Sequence, residues 1–583
     1  MLTHDEQRKE TIDHAWSSVF NTRFDAASCT LSDLDAELEA VKKYHTLARQ
    51  KRNALTSVCK LPVELQSKIF RIVRDDWELK DDGPRRGKPR NGLGWIFLSH
   101  VCSSWRKVAI SDPVLWRTID CLKIHPSAIH TILHRAGKQG LRMTLNLSDC
   151  SPSTLSSALQ TWLNPLMCRR TELLKVSSTG STVLDSLPRH MPHLKTLSLK
   201  YSFPRGTEPF PHQFLTEEMP YPNLTHLTLS NVPILWRSTL FTSTLTRLDW
   251  SLAYGWDPST YLESTDFPRL LAQMPNLESL TLDKVFEEAL DGGDAVAPRY
   301  PLPSCFRFLN LRFLCGDTCA AGMLDMVHIP AATTVIVELY SINSASSIGR
   351  IAAALFQGAF AEEPEPRELM VDKSWFYVRP WSATCPAPAA ILKYTRGTSS
   401  GTYEPRSRCL VFEDDSEDPY VDSEDEDDTR ALADARRYLP YIPFASITAV
   451  TICRDLEYGL EPRTPNFWFG TFCVARNVLH LQVPLTRTIE DLCSALEWSV
   501  KSDFLIFPRL EVIILGFSAR SRKNKALNGA DQTCVVLALE SALRKREEGG
   551  APVREVRVTE DARLWEGDPW IGVRELVQLN FFE

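Results

Sequence analysis

A six-residue frame, L-x-x-L-x-L, restricts this chain to a narrow set of folds. It occurs as LKTLSL (Leu194, Leu197, Leu199), LTHLTL (Leu224, Leu227, Leu229), LESLTL (Leu277, Leu280, Leu282) and FRFLNL (Phe306, Leu309, Leu311), with LTRLDW at 245–250 as an altered copy. Versions rich in β-branched residues follow: ITAVTI (Ile447, Val450, Ile452), VLHLQV (Val478, Leu481, Val483), LEVIIL (Leu510, Ile513, Leu515) and VREVRV (Val553, Val556, Val558). Each reads as a short strand. Recurrence of such a unit implies a strand followed by a returning helix or loop, each unit burying its apolar edge against its neighbours. MPHL, YPNL, MPNL or FPRL introduces several copies. Proline pushes the residue before it out of helical geometry, so it ends whatever helix comes before the strand.

The copies are not evenly spaced. Their leading positions are 30, 21, 32 and 29 residues apart in the first set and 31, 32 and 43 in the second. Three residues past the last leucine, where regular leucine-rich repeats carry asparagine or cysteine, stand Ser202, Val232 and Val285. The expectation is an irregular, leucine-rich-repeat-like α/β solenoid in two parts, 140–340 and 441–583. A pair of ordinary α/β domains sharing the frame is the alternative. Between the two parts, 341–440 is rich in proline and small residues and is expected to be an irregular insertion, with a disordered acidic run at 413–428.

At 583 residues the chain exceeds a single core, and a multidomain α+β protein is expected. No apolar run approaches the roughly 18 residues of a membrane helix, and the opening MLTHDEQRKETIDHAW does not resemble a secretory signal. An intracellular protein, in cytoplasm or nucleus, is the expectation. The fifteen cysteines then read as free thiols, many of them buried. Net charge is −7, and setting aside the eleven acids of 413–428 leaves +4 on everything else. So small a surplus suggests neither a nucleic-acid-binding nor a membrane-binding face.

The first 120 residues are helical in pattern. Leu31, Leu34, Leu38, Val41, His45, Ala48, Arg52 and Leu55 form a heptad seam within an N-terminal segment 1–57, with Thr30 or Ser32 available as N-cap. A helix packed on its own chain and a self-associating coiled coil both fit that seam. In LPVELQSKIFRIV (61–73), Leu65, Ile69, Ile72 and Val73 share a helical face. A Gly/Pro/charge-rich loop at 81–92 separates this from a second helix through Leu98, Val101, Cys102, Trp105, Val108 and Ala109. Asp112-Pro113 opens a third, carrying Leu115, Trp116 and Ile119.

Together, LPVELQSKIFRIV and IFLSHVCSSWRKVAISDPVLWRTI resemble the F-box, here bounded at 58–120. The Leu-Pro start, Glu64-Leu65, Ile69-Phe70, the Val-Cys-x-x-Trp-Arg-x-Val-Ala core and the Asp-Pro-x-Leu-Trp ending occur in order. The whole chain is similar to the F-box proteins of mushroom-forming fungi. The resemblance implies a three-helix module that docks on the Skp-type adaptor of a cullin-RING ubiquitin ligase, while the repeat region binds a protein substrate. It assigns Leu61, Pro62, Leu65, Ile69 and Phe70 to the adaptor contact, and Leu98, Val101, Cys102, Trp105, Leu115 and Trp116 to the module's core. The apolar residues at 61–70 exceed what three short helices bury among themselves, so part of that surface is expected to close against a second protein.

Few motifs for chemistry stand out. No G-x-x-x-x-G-K-S/T or H-E-x-x-H occurs, and Cys315 and Cys319 have no second Cys/His pair at finger spacing. A recognition subunit with no active site, metal or cofactor of its own is expected. Its alternative is a protein-binding scaffold without a ligase role.

Overall fold

The computed structural model describes residues 3–24, 30–77, 94–148, 152–178, 187–202, 221–253, 266–286, 300–313, 317–339, 345–357, 367–372, 375–380, 406–412, 442–452, 465–500, 503–516 and 529–582, apart from 189, 233, 235–237, 443, 487 and 566. The loop at 81–92 and the acidic run 413–428 lie outside the described residues. The chain divides into two compact units, one of residues 1–146 and 151–174, the other of 147–150 and 175–583.

The first unit is mostly helical: α1 (His4–Phe24), α2 (Leu31–Ala54), α3 (Val63–Asp76), α4 (Leu98–Val101), α5 (Ser103–Ser111) and α6 (Pro113–Trp116). Strands β1 (Thr118–Asp120) and β2 (Leu141–Leu147) pair in parallel, which takes Ile119 out of the expected third helix and into a buried strand position. Thr30 and Asp33 form a reciprocal capping box at the start of α2, so of the two candidate caps the chain uses Thr30.

The second unit is a long, mainly parallel sheet. Its strands include β3 (Thr196–Tyr201), β4 (His226–Ser230), β5 (Arg247–Ser251), β6 (Ser279–Asp283), β7 (Phe308–Phe313) and β8 (Thr334–Leu339), which pair in that order. Every L-x-x-L-x-L copy lies in the same way: its first residue precedes the strand by two positions or opens it, and all three frame residues are buried. The copies stack in register. Leu197, Leu227, Leu248, Leu280 and Leu309 form one row, and Leu199, Leu229, Trp250, Leu282 and Leu311 the next. Rows of this kind let each unit bury an edge it could not bury alone, which is the physical content of a solenoid.

The region expected to interrupt the repeat instead contributes to the sheet. Residues 341–440 supply β9 (Arg367–Asp372), β10 (Trp375–Pro380) and β11 (Arg408–Phe412). β11 lies parallel to β8, β10 is antiparallel to both β11 and β9, and β9 lies parallel to β12 (Ile447–Ile452). The irregular insertion is therefore corrected to a three-stranded meander, entered in reverse order, that joins the two parallel parts. Beyond it the parallel order resumes through β12, β13 (His480–Pro484), β14 (Val512–Gly516), β15 (Glu555–Thr559) and β16 (Gln578–Phe582). Each return here carries a helix: α7 (Pro465–Phe472), α8 (Thr488–Leu496), α9 (Gly529–Glu548) and α10 (Ile571–Leu576), packed side by side in chain order.

The turns are fixed by a device that the frame did not advertise. Asn223, Asn276 and Asn477, each one residue before a leading position, donate their side-chain amides to Pro192 O (2.6 Å), Ser243 O (2.8 Å) and Ala445 O (2.9 Å). Each acceptor sits two residues before the leading position of the preceding copy, so the same hydrogen bond recurs from unit to unit. Three residues past the last leucine, where a regular repeat carries its asparagine, Val232 and Val285 are buried apolar side chains instead.

Ten free cysteines stand among the described residues, and Cys121, Cys168, Cys319, Cys409 and Cys493 are buried. Burial pushes the Cys168 thiol up to about 11 and raises Cys121, Cys409 and Cys493 well above the ordinary thiol range. In the native protein at about pH 8, iodoacetamide is expected to modify exposed Cys534 well before these four, since the thiolate is the nucleophile. Peptide mapping by mass spectrometry checks this, and early labelling of Cys409 or Cys493 would contradict their placement.

Candidate docking surface

The helical module of the first unit is held by a small set of side chains. Phe70, at 2% exposure, packs on Trp105 with ring centroids 5.2 Å apart. Trp116 meets Trp95 edge-on at 5.0 Å, donates its indole N–H to Ala109 O (2.7 Å) and lies under the Arg135 guanidinium (4.3 Å to the ring centroid). Leu98 and Leu115 are buried with them.

Two polar contacts set the geometry around α3. Asp112 is buried, caps α6 through the Val114 N–H (3.1 Å), and accepts a bidentate pair from Arg71 Nε (2.9 Å) and Nη2 (3.0 Å). Those hydrogen bonds raise the Arg71 guanidinium above its ordinary pKa. Gln66, also buried, donates Nε2 to Leu61 O (2.8 Å) and fastens the turn that leads into α3. Pro62 occupies the N-cap, where its missing N–H costs nothing, and its carbonyl accepts from Leu65 and Gln66.

The predicted residues divide into two groups. Leu61 is half-buried, Pro62 is exposed, and Leu65 (48%) and Ile69 (43%) point outward from α3. Val63 and Ile72 on the same helix are exposed as well. Phe70 is the exception: it was assigned to the contact surface but belongs to the core. At four residues past the buried Gln66 it falls on the inward side of α3, whereas Leu65 and Ile69 share the outward side.

Among the expected core residues, Leu98, Leu115 and Trp116 are core, Trp105 is half-buried against Phe70, and Cys102 is half-buried. Val101 is corrected to the surface at 59% exposure. The cause is a break in the expected second helix. Cys102 is extended (φ −158°, ψ 169°), so α4 ends at Val101 and α5 starts anew at Ser103 with the Cys102 Sγ accepting from the Trp105 N–H (3.5 Å). Residues on either side of that break no longer share one helical face, and Val101 joins Phe97 and Trp77 among the exposed large apolar side chains.

Sequence reasoning missed Gln66 and Arg71. No spacing rule singles them out, because their partners, Leu61 O and Asp112, are set by the packing of α3 on its neighbours. Among the described residues no group of three or more His, Cys, Asp or Glu side chains is placed to hold a metal ion, and no helix is long and apolar enough to cross a membrane.

No family model matches the chain, and neither does any curated protein. Among solved structures, the crystal structure of the leucine-rich repeat-containing protein LegL7 from Legionella pneumophila is similar at 11% identity, covering 74% of this chain and 97% of that one, with a TM-score of 0.25. A likeness at that level carries no argument.

Proposed function

We propose that residues 58–120 act as an F-box that docks on a Skp-type adaptor, and that the chain is the substrate-recognition subunit of a cullin-RING ubiquitin ligase. The observation that carries this reading is the outward apolar stripe of Pro62, Leu65 and Ile69, with half-buried Leu61 at its edge, on a module whose own core is already closed by Phe70, Leu115 and Trp116. Clustered apolar side chains on so small a unit favour burial against a partner. The parallel sheet of the second unit is the proposed substrate-binding part, since stacked repeats present extended surfaces that bind proteins.

The test is co-expression of the full chain with a Skp-type adaptor, followed by size-exclusion chromatography, beside the variant carrying Leu61→Asp and Leu65→Asp. A stable one-to-one complex that the variant loses is the expected result. Elution of a well-folded wild-type chain apart from the adaptor would overturn the reading and leave a scaffold that binds proteins by other means.

A further inference from the structure

Among the described residues of the first unit, little packs along the seam of α2, where Leu34 alone is half-buried. No residue of the helix is buried, and Leu31, Leu38, Val41 and the capping Leu55 are about half-exposed or more. α1 meets α2 at one end, where Arg23 and Glu37 form an ion pair at 2.5 Å. Among the described residues, no second helix of matching length runs along the seam.

The charges on α2 say which helix that is. From Leu31 to Val41 it carries Asp33, Asp35, Glu37 and Glu39 and no base; from Lys42 to Ala54 it carries Lys42, Lys43, Arg49, Lys51 and Arg52 and no acid. A helix divided in this way is complementary to its own reverse. We infer that α2 pairs with α2 of a second copy of this chain in an antiparallel coiled coil.

The seam supports the antiparallel direction in detail. Turned end for end about Lys43, the helix sets Leu31 against Leu55, Leu34 against Arg52, Leu38 against Ala48 and Val41 against His45 of the second copy. Large side chains thus face small or long flexible ones, and the aliphatic stem of Arg52 covers Leu34. A parallel pair would instead stack His45 on His45 and Arg52 on Arg52 within the seam. At the edges, the antiparallel arrangement brings Asp35 beside Arg49 of the second copy, and Glu37, which Arg23 of its own chain also holds, beside Lys51, twice each by symmetry. The opposing term is a single Lys42–Lys42 approach at the centre, and Lys42 already has Glu39 at 2.5 Å to offset it. Asp33 stays with its own Thr30 in the capping box and takes no part.

Sedimentation equilibrium of the full chain, alone and at low ionic strength, tests this inference independently of any adaptor. The wild type is expected to dimerise, and added salt to weaken the dimer by screening the exposed pairs. Asp35→Lys with Glu37→Lys, and separately Arg49→Glu with Lys51→Glu, should each weaken self-association by about tenfold or more, because each sets like charges together at both ends of the interface. Mixing the two variants should restore the dimer, since the acid-reversed end of one then meets the base-reversed end of the other. Circular dichroism should show unchanged helix content, as Asp35, Arg49 and Lys51 are exposed; Glu37 is half-buried beside Arg23, so the Arg49→Glu with Lys51→Glu variant, which leaves that pair intact, is the cleaner of the two. A wild type that stays monomeric to its solubility limit, variants that associate as well as the wild type, or a mixture that fails to recover would each overturn the antiparallel pairing.

Discussion

Phe70→Ala is expected to destabilise the helical module by about 3–5 kcal/mol, the usual cost of emptying a buried aromatic site. The ring is almost fully buried and its partner Trp105 has its indole nitrogen enclosed without a hydrogen bond, so truncation leaves a void beside a group that gains nothing by closing it. Leu65→Asp, five residues earlier on the same helix, is expected to stay within about 0.5 kcal/mol of wild type, as surface substitutions do. Its side chain faces outward, and a carboxylate in the first turn of α3 is favoured by the exposed N–H groups there. Both changes are expected to weaken adaptor binding, but only one through unfolding. Hydrogen exchange over residues 61–116 separates them: Phe70→Ala should lose protection there while the second unit keeps its own. Equal protection in the two variants would mean that Phe70 does not hold the module together.

The second large effect is expected in the meander. Glu368 and Arg379 face each other across the antiparallel pair of β9 and β10, both nearly buried, with Arg379 Nε and Nη2 at 2.8 and 2.7 Å from Glu368 Oε2. Thr451 on β12 donates to the other carboxylate oxygen at 2.6 Å. Glu368→Ala removes the carboxylate from a buried guanidinium and a hydroxyl at once and should cost about 3–5 kcal/mol, as breaking one side of a buried pair does. Adding Arg379→Met to Glu368→Ala should recover much of that loss, because two apolar side chains demand no counter-charge. Urea unfolding of the second unit gives both values. A double variant as unstable as the single one would show that the ion pair adds more than it costs to desolvate.

The two units were legible to different degrees. The strand frames could be read position by position because a strand alternates sides every residue, so L-x-x-L-x-L fixes which side chains go inward whatever surrounds them. The strands at 367–412 were not legible, since none carries the L-x-x-L-x-L frame and they sit among proline-rich stretches that look like spacers. In the helical module, inward and outward residues of α3 differ by one position, and Ile69-Phe70 read as a single apolar pair until the helix was placed against Trp105. Val101 was misplaced because the break at Cys102 involves neither proline nor glycine and leaves no trace in the pattern. The side-chain bonds of Asn223, Asn276 and Asn477 did leave one, a repeated asparagine just before the leading apolar residue, but it sits outside the window where regular repeats carry theirs.

The reversed meander has a kinetic consequence. In a stack where each strand touches only its neighbours, either parallel part can form from contacts some thirty residues apart in sequence. Joining them is a different problem. Val335 must find Arg408, and Arg367 must reach Ile447, closing loops of about seventy to eighty residues whose ends meet only after the hairpin has turned back on itself. The two parts are therefore expected to nucleate separately and to be welded late, with the meander as the slowest and most easily reopened joint of the sheet.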